Sequence, residues 1–482
     1  MLDLRPVGYV VGLLLVVLAA AMLLPMAVDL FMGNGHWGAF LQSAFLTGVV
    51  GLCLSLSCAN AVRERLSLQQ TFLLTTGVWL ALPIFAAFPF AFGATGSSYT
   101  DAFFEAMSGL TTTGSTVLSG LDELPRGLLL WRGLLQWFGG IGVIVMAMVF
   151  LPELRVGGMQ IFRSEGFDTM GKVLPRAAEI SSQISTIYIA LTVACALAYG
   201  WAGMAPFDAM VHAMTTISTG GFANYDASFG AFKGSHEYIA VLFMAAAALP
   251  FVLYVRLLNG EARPLARDPQ VRAFFGTVAL IVALVAAVLG VVGSYAPEVA
   301  LRESLFNVIS IMTGTGYASA DYMQWGGFLI AVFFFLGLIG GCAGSTSCSI
   351  KIFRYQILFA AMKAQIQRIN APNGIFRPRY GGRTVSEDVL SSVMAFFVLF
   401  IVTMGVFSVA LAMTGLDFIT AVSGAATAVA NVGPGLGPVI GPAGNFEPLN
   451  DTATWLLSAA MLIGRLELLA VYVLFTRRFW VA

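Results

Sequence analysis

Four stretches rich in glycine and threonine carry the residue types from which this sequence could build a site for a small cation. The first runs from Asp101 to Thr116, and the next two run from Asp208 to Phe222 and from Glu303 to Tyr317. In each of these three, an acid is followed by a glycine thirteen residues later. A looser fourth copy begins at Asp417 and has its glycine, Gly433, sixteen residues on. Recurrence at a fixed spacing predicts four copies of one structural unit.

Backbone carbonyl oxygens are the chemistry that such a unit offers. Small residues such as Thr111 to Gly114 let the chain turn tightly, so that carbonyl groups can face a common axis. Four such turns would give rings of oxygens that replace the water shell of a cation. Each preceding short helix would direct its partly negative C-terminal end at the axis, which favours a cation. The alternative, four ordinary extracellular turns, is disfavoured by the recurrence at matched positions.

The elements that position these loops must lie in a membrane. Of the 482 residues, 58% are hydrophobic and only 10% are charged, whereas a soluble domain has about 25% charged residues. The net charge is zero, so we expect no nucleic-acid partner. The five cysteines are an odd number within or beside apolar runs. We interpret them as buried thiols, neither a disulfide framework nor a metal site.

Ten apolar runs are long enough to cross a bilayer, which takes about 20 helical residues. The first is longer than the core of a signal peptide, so we expect a true span. Short segments that end in the glycine turns follow the third, fifth, seventh and ninth runs. The predicted fold is an all-α polytopic membrane protein, with two leading helices and four helix–pore-loop–helix repeats of pseudo-fourfold symmetry around one central pore. The runs lie near residues 8–30, 38–62, 69–92, 127–151, 180–203, 237–259, 271–294, 325–366, 388–414 and 453–476.

The distribution of Lys and Arg residues predicts the orientation of the chain in the membrane. With the N-terminus inside, 20 of the 25 Lys and Arg residues fall on the inner side, as the positive-inside rule requires. Both termini are then cytoplasmic, and the four loops dip inward from the outer side. That side also holds many acids, Glu105 and Asp226 among them, and a negative vestibule would concentrate cations. The predicted domains are the leading pair, 1–67, and pore repeats at 68–160, 161–262, 263–375 and 376–482.

A second special stretch, G-L-I-G-G-C-A-G-S-T-S-C-S at residues 337–349, interrupts the apolar run at 325–366. That run is far too long for one straight crossing, and the density of Gly and Ser argues against a continuous helix. We therefore interpret this stretch as a break in the span. The alternative interpretation is a face of small residues that packs closely against another helix.

Arg465 lies within the last apolar run, where a charge costs on the order of 2.5 kcal/mol or more and is usually functional. Glu467 stands two residues on, and residues two apart do not share a helix face, so we expect no direct pair. An ion pair with an acid of a short helix or a loop, which would only hold helices together, is one interpretation of Arg465.

The four loop motifs, T-T-T-G-S-T, I-S-T-G-G-F, M-T-G-T-G-Y and N-V-G-P-G-L-G, resemble the filter loops of the Trk/Ktr/HKT potassium transporters. The leading helix pair and the N-V-G-P-G-L-G loop are similar to the TrkH branch, and the resemblance covers essentially the whole chain. It implies potassium uptake driven by the membrane potential, with potassium as substrate at the filter carbonyls and no cofactor on this chain. The residues that it assigns to the filter are Thr112, Thr113, Gly114, Thr219, Gly220, Gly221, Gly314, Thr315, Gly316, Asn431, Val432 and Gly433.

The resemblance also bears on selectivity. Relatives with Ser in the first loop tend to prefer sodium, so Gly114 favours potassium. Gly314 stands where many relatives have Thr, which would loosen the filter. The alternative function is a less selective sodium/potassium pathway or a proton-coupled cation symporter. A transporter of organic solutes would instead predict two inverted repeats, not four parallel ones.

The resemblance further implies a gate beneath the filter, formed by the intramembrane loop 337–349 and Arg465. A fixed positive charge there would oppose cation flow, and a purely structural ion pair stays the alternative. The residues assigned to the gate are Gly340, Gly341, Gly344, Ser345, Thr346, Ser347 and Arg465.

The partners implied are a second copy of the chain, the lipid bilayer of the bacterial inner membrane and a cytosolic TrkA-type nucleotide-binding subunit. The inner loops, near 152–178 and 369–386, are too short for a regulatory domain, so nucleotide control would come from that subunit. Arg377, Arg379 and Arg383 are candidate docking points. We expect no enzyme, since the sequence has no P-loop, dinucleotide fingerprint or nucleophile elbow.

Overall fold

Two long helices open the chain in the computed structural model, which describes residues 3–61, 66–93, 95–147, 157–159 and 173–481. Arg5–Met32 and Trp37–Cys58 pack against each other through small residues. A methyl group added at Gly12 would lie 2.8 Å from the carbonyl oxygen of Gly51, so the two backbones approach closely. Such contacts are typical of helices that associate within a bilayer.

Four units of long helix, short helix and second helix follow. The long helices are Leu68–Ala86, extended by Phe88–Ala91, then Val173–Trp201, Pro269–Val291 and Glu387–Met413. The short helices are Tyr99–Leu110, Pro206–Ile217, Pro297–Thr313 and Phe418–Ala430. With 12 to 17 residues they reach only about 18–26 Å, less than the bilayer core.

The second helices differ among the units. Arg126–Val145 is continuous, whereas Gly327–Gly337 and Ile352–Asn370 are separated by a non-helical segment. The second helix of unit two is bent by 91° between Ser235–Ala247 and Phe251–Leu258. In unit four Asp451–Arg465 is followed, after a 103° bend, by Leu469–Tyr472 and the 3₁₀ turn Val473–Phe475.

The sequence analysis placed one apolar run at each of these positions, 237–259 and 453–476, and the structure adds a bend within each that the sequence analysis did not predict. At the first bend Pro250 lacks an N–H and disfavours helical backbone at Leu249. At the second, Glu467 and Leu468 adopt left-handed backbone with φ of 59° and 52°. In the described part of the chain, seven helices are long and apolar enough to cross a membrane, or nine if each bent pair is one span.

The remaining elements are small. A two-stranded antiparallel hairpin pairs Arg379–Tyr380 with Arg383–Thr384 in the loop before the fourth unit. The others are the helices Arg263–Arg267, Gly437–Ile440 and Arg477–Val481 and the 3₁₀ turns Ala59–Ala61, Leu121–Glu123, Ser228–Ala231 and Tyr322–Trp325.

The all-α polytopic architecture that the sequence predicts is confirmed. The interruption of the apolar run at 325–366 is also observed, since helix is absent from Leu338 to Lys351. The domain boundaries at 67, 160, 262 and 375 stay predictions.

Candidate cation site

The four short helices begin with standard start signals. Ser98 caps the first, and its hydroxyl accepts a hydrogen bond from the amide of Asp101. Pro206 and Pro297 stand at the first position of the second and third helices, where a missing N–H costs nothing. Asp417 caps the fourth, and its carboxylate accepts from two backbone amides at 3.1 Å. Each helix therefore starts at a defined residue near the beginning of its motif.

All four short helices end in the same backbone conformation. A residue with positive φ stands two positions before each motif glycine, and the glycine itself also has positive φ. The fourth motif keeps this local spacing. Its acid, Asp417, stands at the N-cap, sixteen residues before Gly433, just as the N-cap Ser98 stands sixteen residues before Gly114, so only the position of the acid on the helix differs. Left-handed backbone ends a helix and turns the chain sharply. The φ values are 51° at Thr112 and 85° at Gly114, 50° at Thr219 and 76° at Gly221, 76° at Gly314 and 78° at Gly316, and 53° at Asn431 and 110° at Gly433.

The four glycines meet in one closed ring. A methyl group added at any of them would lie within 3 Å of a backbone carbonyl oxygen of the next loop. The oxygen belongs each time to the residue just before the next glycine, and the fourth loop contacts the first. A side chain at any of these positions would collide with a neighbouring carbonyl, so glycine is the residue that leaves the ring undisturbed. The pairs are Gly114 with Gly220, Gly221 with Thr315, Gly316 with Val432 and Gly433 with Thr113.

Side chains bind the loops to one another. The hydroxyl of Ser115 donates to the carbonyl of Gly433 at 2.7 Å, and Asn431 Nδ2 donates to Thr113 Oγ1 at 2.9 Å. Both bonds join the first loop to the fourth. Gln136, on the second helix of unit one, donates to the carbonyl of Gly220 at 2.6 Å. These three hydrogen bonds connect the loops of the ring to one another and to the second helix of unit one.

A second recurring contact fixes the outer arm of every loop. A side chain of each short helix accepts the backbone N–H of the residue three positions after the motif glycine. These acceptors prevent buried amides from staying unpaired, which would be costly. The pairs are Glu105 with Val117 at 3.1 Å, His212 with Asn224 at 3.5 Å, Asn307 with Ser319 at 3.2 Å and Ser423 with Leu436 at 2.9 Å.

Glu105 corrects one expectation. The sequence analysis counted it among the acids of an outer vestibule, but its side chain is fully buried. It accepts from Thr116 as well as Val117, and it forms an ion pair with the buried Arg132 at 2.8 Å. Glu105 is buried because its position on the short helix faces the loop and not the solvent. Glu105 therefore shapes the first loop and contributes no free charge to the vestibule.

A cavity of about 480 Å³ opens at the ring on the side of the loops that follow the motifs. Its wall includes Gly114, Gly221, Gly316 and Gly433, so an ion leaving the cavity would meet the ring next. Asp226 also lines it, with a carboxylate that accepts from the amides of residues 120 and 121.

The loop between Gly337 and Ile352 packs against the inner ends of the short helices. Ser347 Oγ donates to the carbonyl of Thr313 at 2.7 Å, and the amide of Ser349 donates to the carbonyl of Ala430 at 2.9 Å. Cys348 Sγ lies 3.6 Å from Thr112 Oγ1. The loop thus touches the ends of the third, fourth and first short helices.

The same loop fills the bend in the second helix of unit two. Cys342 donates its amide to the carbonyl of Ala248 at 3.0 Å, and Phe251 donates its amide to the carbonyl of Gly344 at 2.9 Å. Thr346 Oγ1 donates to the carbonyl of Ala247, also at 3.0 Å. Backbone groups freed by the bend are therefore satisfied by the loop, as non-helical backbone at membrane depth requires. The other residues assigned to the gate, Gly340, Gly341 and Ser345, are buried in the same loop.

Arg465 ends the helix Asp451–Arg465 and lies against this loop. It is 5% exposed, and its Nη1 donates to Cys348 Sγ at 2.8 Å. Its Nε and Nη2 have no partner among the described residues, and none of the carboxylates described there forms an ion pair with it. Glu467 pairs instead with Arg354, so Arg465 and Glu467 do not pair with each other. The guanidinium therefore lies next to the C-terminal ends of the short helices, through its contact with Cys348.

Sequence reasoning missed two residues of this site. Gln136 stands in the apolar run 127–151, and an uncharged polar residue within a span is a signal that could have identified it. Cys348 was interpreted only as a buried thiol, and its contact with Arg465 depends on the three-dimensional path of the loop, which no local pattern encodes.

Comparison with known proteins decides the family. The model of the TrkH family, whose description is cation transport protein, matches residues 38–480. The chain belongs to the TrkH family. It is 44% identical to the Trk system potassium uptake protein TrkI of Halomonas elongata, over 98% of this chain and 96% of that one. It is 38% identical to the Trk system potassium uptake protein TrkH of Salmonella typhimurium, over 99% of both chains.

A solved structure agrees with the fold. The crystal structure of the potassium transporter TrkH from Vibrio parahaemolyticus matches with a TM-score of 0.91 and 35% identity, covering 99% of this chain and 100% of that one. The resemblance drawn from the loop motifs is confirmed. TrkH-family proteins are transporters and not enzymes, and this chain is a multi-span membrane protein of a bacterial Trk transporter family.

Proposed function

We propose that this chain takes up potassium across the bacterial inner membrane and that the ring of four loops is its selectivity filter. The observation that carries the proposal is the closed ring, in which each glycine abuts a carbonyl of the next loop. The names of the relatives, potassium uptake proteins and a potassium transporter, support potassium as the substrate.

In this proposal backbone carbonyls replace the water shell of the ion. The carbonyls of Thr113, Gly220, Thr315 and Val432 each lie beside the motif glycine of the neighbouring loop, and oxygen ligands suit a hard monovalent cation. The C-terminal ends of four short helices add partial negative charge, which favours a cation over an anion. The remaining filter residues, Thr112, Thr219, Gly314 and Asn431, set the turn through their left-handed backbone.

The membrane potential drives the uptake. Moving one charge inward is worth about 2.3 kcal/mol per 100 mV. The chain then needs no bound nucleotide for energy, and transport is channel-like.

The gate is the loop 337–349 together with Arg465. The loop touches three of the four short helices at their inner ends, and a charged guanidinium without a described carboxylate partner lies beside it. A fixed positive charge below the ring raises the electrostatic barrier for a cation. Rearrangement of the loop moves that charge and opens the path.

The assembly is a homodimer with one pore in each protomer, both termini in the cytoplasm and a cytosolic TrkA-type nucleotide-binding partner. The partner binds the inner loops, where Arg377, Arg379 and Arg383 supply positive charge. The positive-inside bias of the sequence supports this orientation. The predicted inner loop near 152–178 lies largely outside the described residues.

Uptake of radioactive rubidium into proteoliposomes of the purified chain, competed by potassium or by sodium, tests the proposal. We expect potassium to block uptake and sodium to leave it nearly unchanged. Equal block by both ions would remove the potassium claim and leave the less selective sodium/potassium pathway. Absence of uptake, with and without the cytosolic partner, would contradict a cation pore.

A further inference from the structure

Arg354 is a fully buried cation that neither the ring nor the gate loop uses. It lies in the first turn of Ile352–Asn370, the helix that follows the gate loop directly. Its Nη2 forms an ion pair with Glu467, and its Nε donates to the carbonyl of Gly157 at 2.9 Å. The guanidinium carbon lies 3.8 Å from the centroid of the Phe396 ring. A buried charge is tolerated only when it is paired and hydrogen-bonded in this way.

Glu467 belongs to the bend in the last span. It stands two residues after Arg465, and it and Leu468 both adopt left-handed backbone. Two consecutive non-glycine residues in this region are unfavourable and persist only where the surroundings hold them. The ion pair with Arg354 is such a restraint, because it ties the bend to the helix that follows the gate loop.

Gly157 brings a third segment to the same point. It lies in the inner linker between the first and second units, and its φ is +57°. A methyl group at Gly157 would lie 2.6 Å from Arg354 Nη2 and 3.3 Å from a carboxylate oxygen of Glu467. The next residue, Gly158, donates its amide to Ser392 Oγ at 3.0 Å. Gly157 therefore lies in direct contact with the ion pair.

We propose that Arg354, Glu467 and Gly157 form a latch that holds the gate in the conformation observed here. One side of the latch is continuous with the gate loop, through Lys351, whose ammonium group donates to the carbonyl of Ser347. The other side is continuous with Arg465, which donates to Cys348. Displacement of Gly157 thereby reaches both parts of the gate. The three are positioning residues, and the inference rests on the proposed function.

Gly157→Ala tests the latch from the linker side. The added methyl group pushes against Arg354, so we expect rubidium flux through the full chain in proteoliposomes to rise several-fold, with the ratio of potassium to sodium block unchanged. Gly96→Ala is the matched control, because Gly96 has a similar φ, +62°, and no atom within 4 Å of the added methyl. Backbone strain alone would change both variants alike, and that result would overturn the latch.

Glu467→Gln and Glu467→Asp test the ion pair itself. We expect the Gln variant to raise flux and the Asp variant, which keeps the charge, to restore it toward the wild-type value. Glu237→Gln controls for the loss of a buried carboxylate, because Glu237 is also buried and pairs with an arginine, Arg302, from the first turn of Ser235–Ala247. Unchanged or lower flux in folded Glu467→Gln protein would contradict the proposal.

The two failures are distinguishable. If the wild-type chain carries no potassium-selective flux, the proposed function is wrong, whatever the variants do. If the wild-type chain is selective and the Gly157 and Glu467 variants match their controls, only the latch is wrong. A change in the ratio of potassium to sodium block would place the effect in the ring and would also contradict the latch.

Discussion

At the scale of single residues, the ring depends on the absence of four side chains. Gly316→Ser adds a Cβ atom within 3 Å of the carbonyl oxygen of Val432, at a φ of +78° that serine disfavours. We expect sodium to become an effective competitor of rubidium uptake. Gly276→Ser, at an exposed position of Pro269–Val291 with open space around the added atom, is the control and should keep the wild-type competition. Wild-type selectivity in folded Gly316→Ser protein would contradict the filter.

The buried pair of Glu105 and Arg132 supports the first loop. Glu105→Gln keeps an acceptor for Val117 but leaves a buried guanidinium without its counter-charge. Breaking a buried pair costs about 3–5 kcal/mol, so we expect a marked fall in the thermal unfolding midpoint and reduced rubidium flux. Glu123→Gln, at an exposed carboxylate in the loop after the ring, should leave both unchanged. Equal stability of the two variants would show that the pair is not needed.

Arg465 carries the charge of the proposed gate. Arg465→Ala removes that charge below the ring, so we expect higher rubidium flux at the same protein density. The bond to Cys348 is lost as well, and Arg465→Lys separates the two effects because it retains the charge. Flux in the Lys variant should stay near wild type. Unchanged or lower flux in correctly folded Arg465→Ala protein would count against an electrostatic barrier.

At the scale of elements, the two arms of the gate loop, residues 337–349, come into contact at Gly340. A methyl group at Gly340 would collide with the carbonyl of Cys348, whereas one at Gly337 would make only an ordinary contact, 3.8 Å from Ile311. We expect Gly340→Ala to open the loop and raise rubidium flux, while Gly337→Ala behaves like the wild type. If small residues serve only as a packing face, Gly340→Ala would lower stability without raising flux. Paired flux and thermal unfolding measurements discriminate between these outcomes.

The helices and turns also show which parts of the structure the sequence could predict and which it could not. The matched spacing from Asp101, Asp208 and Glu303 to their glycines predicted three of the units, because a short helix and its turn are local structures. The bend at Glu467 could not be predicted, since its left-handed backbone is held by Arg354, more than a hundred residues away. The sequence analysis placed Glu105 among the acids of the outer vestibule, because nothing in the local sequence shows that the facing loop buries its side chain. Local turns are encoded locally, whereas the pairing of buried charges is a property of the assembled fold.

At the scale of the whole molecule, the four units of one chain surround one ring, and the source of energy distinguishes a channel-like uptake protein from a proton-coupled symporter. A channel-like pathway equilibrates a monovalent cation with the membrane potential alone. At 100 mV, inside negative, about 2.3 kcal/mol per charge corresponds to roughly 50-fold accumulation of rubidium. A proton-coupled symporter would respond to a pH gradient as well.

Proteoliposomes with an imposed potential and no pH gradient should therefore accumulate rubidium to roughly that ratio, within the leak of the vesicles. An imposed pH gradient at zero potential should give no accumulation. Protein-free vesicles are the control for leak. Accumulation driven by the pH gradient alone would replace the channel-like mechanism with proton coupling, because a passive pore cannot concentrate an ion without an electrical driving force.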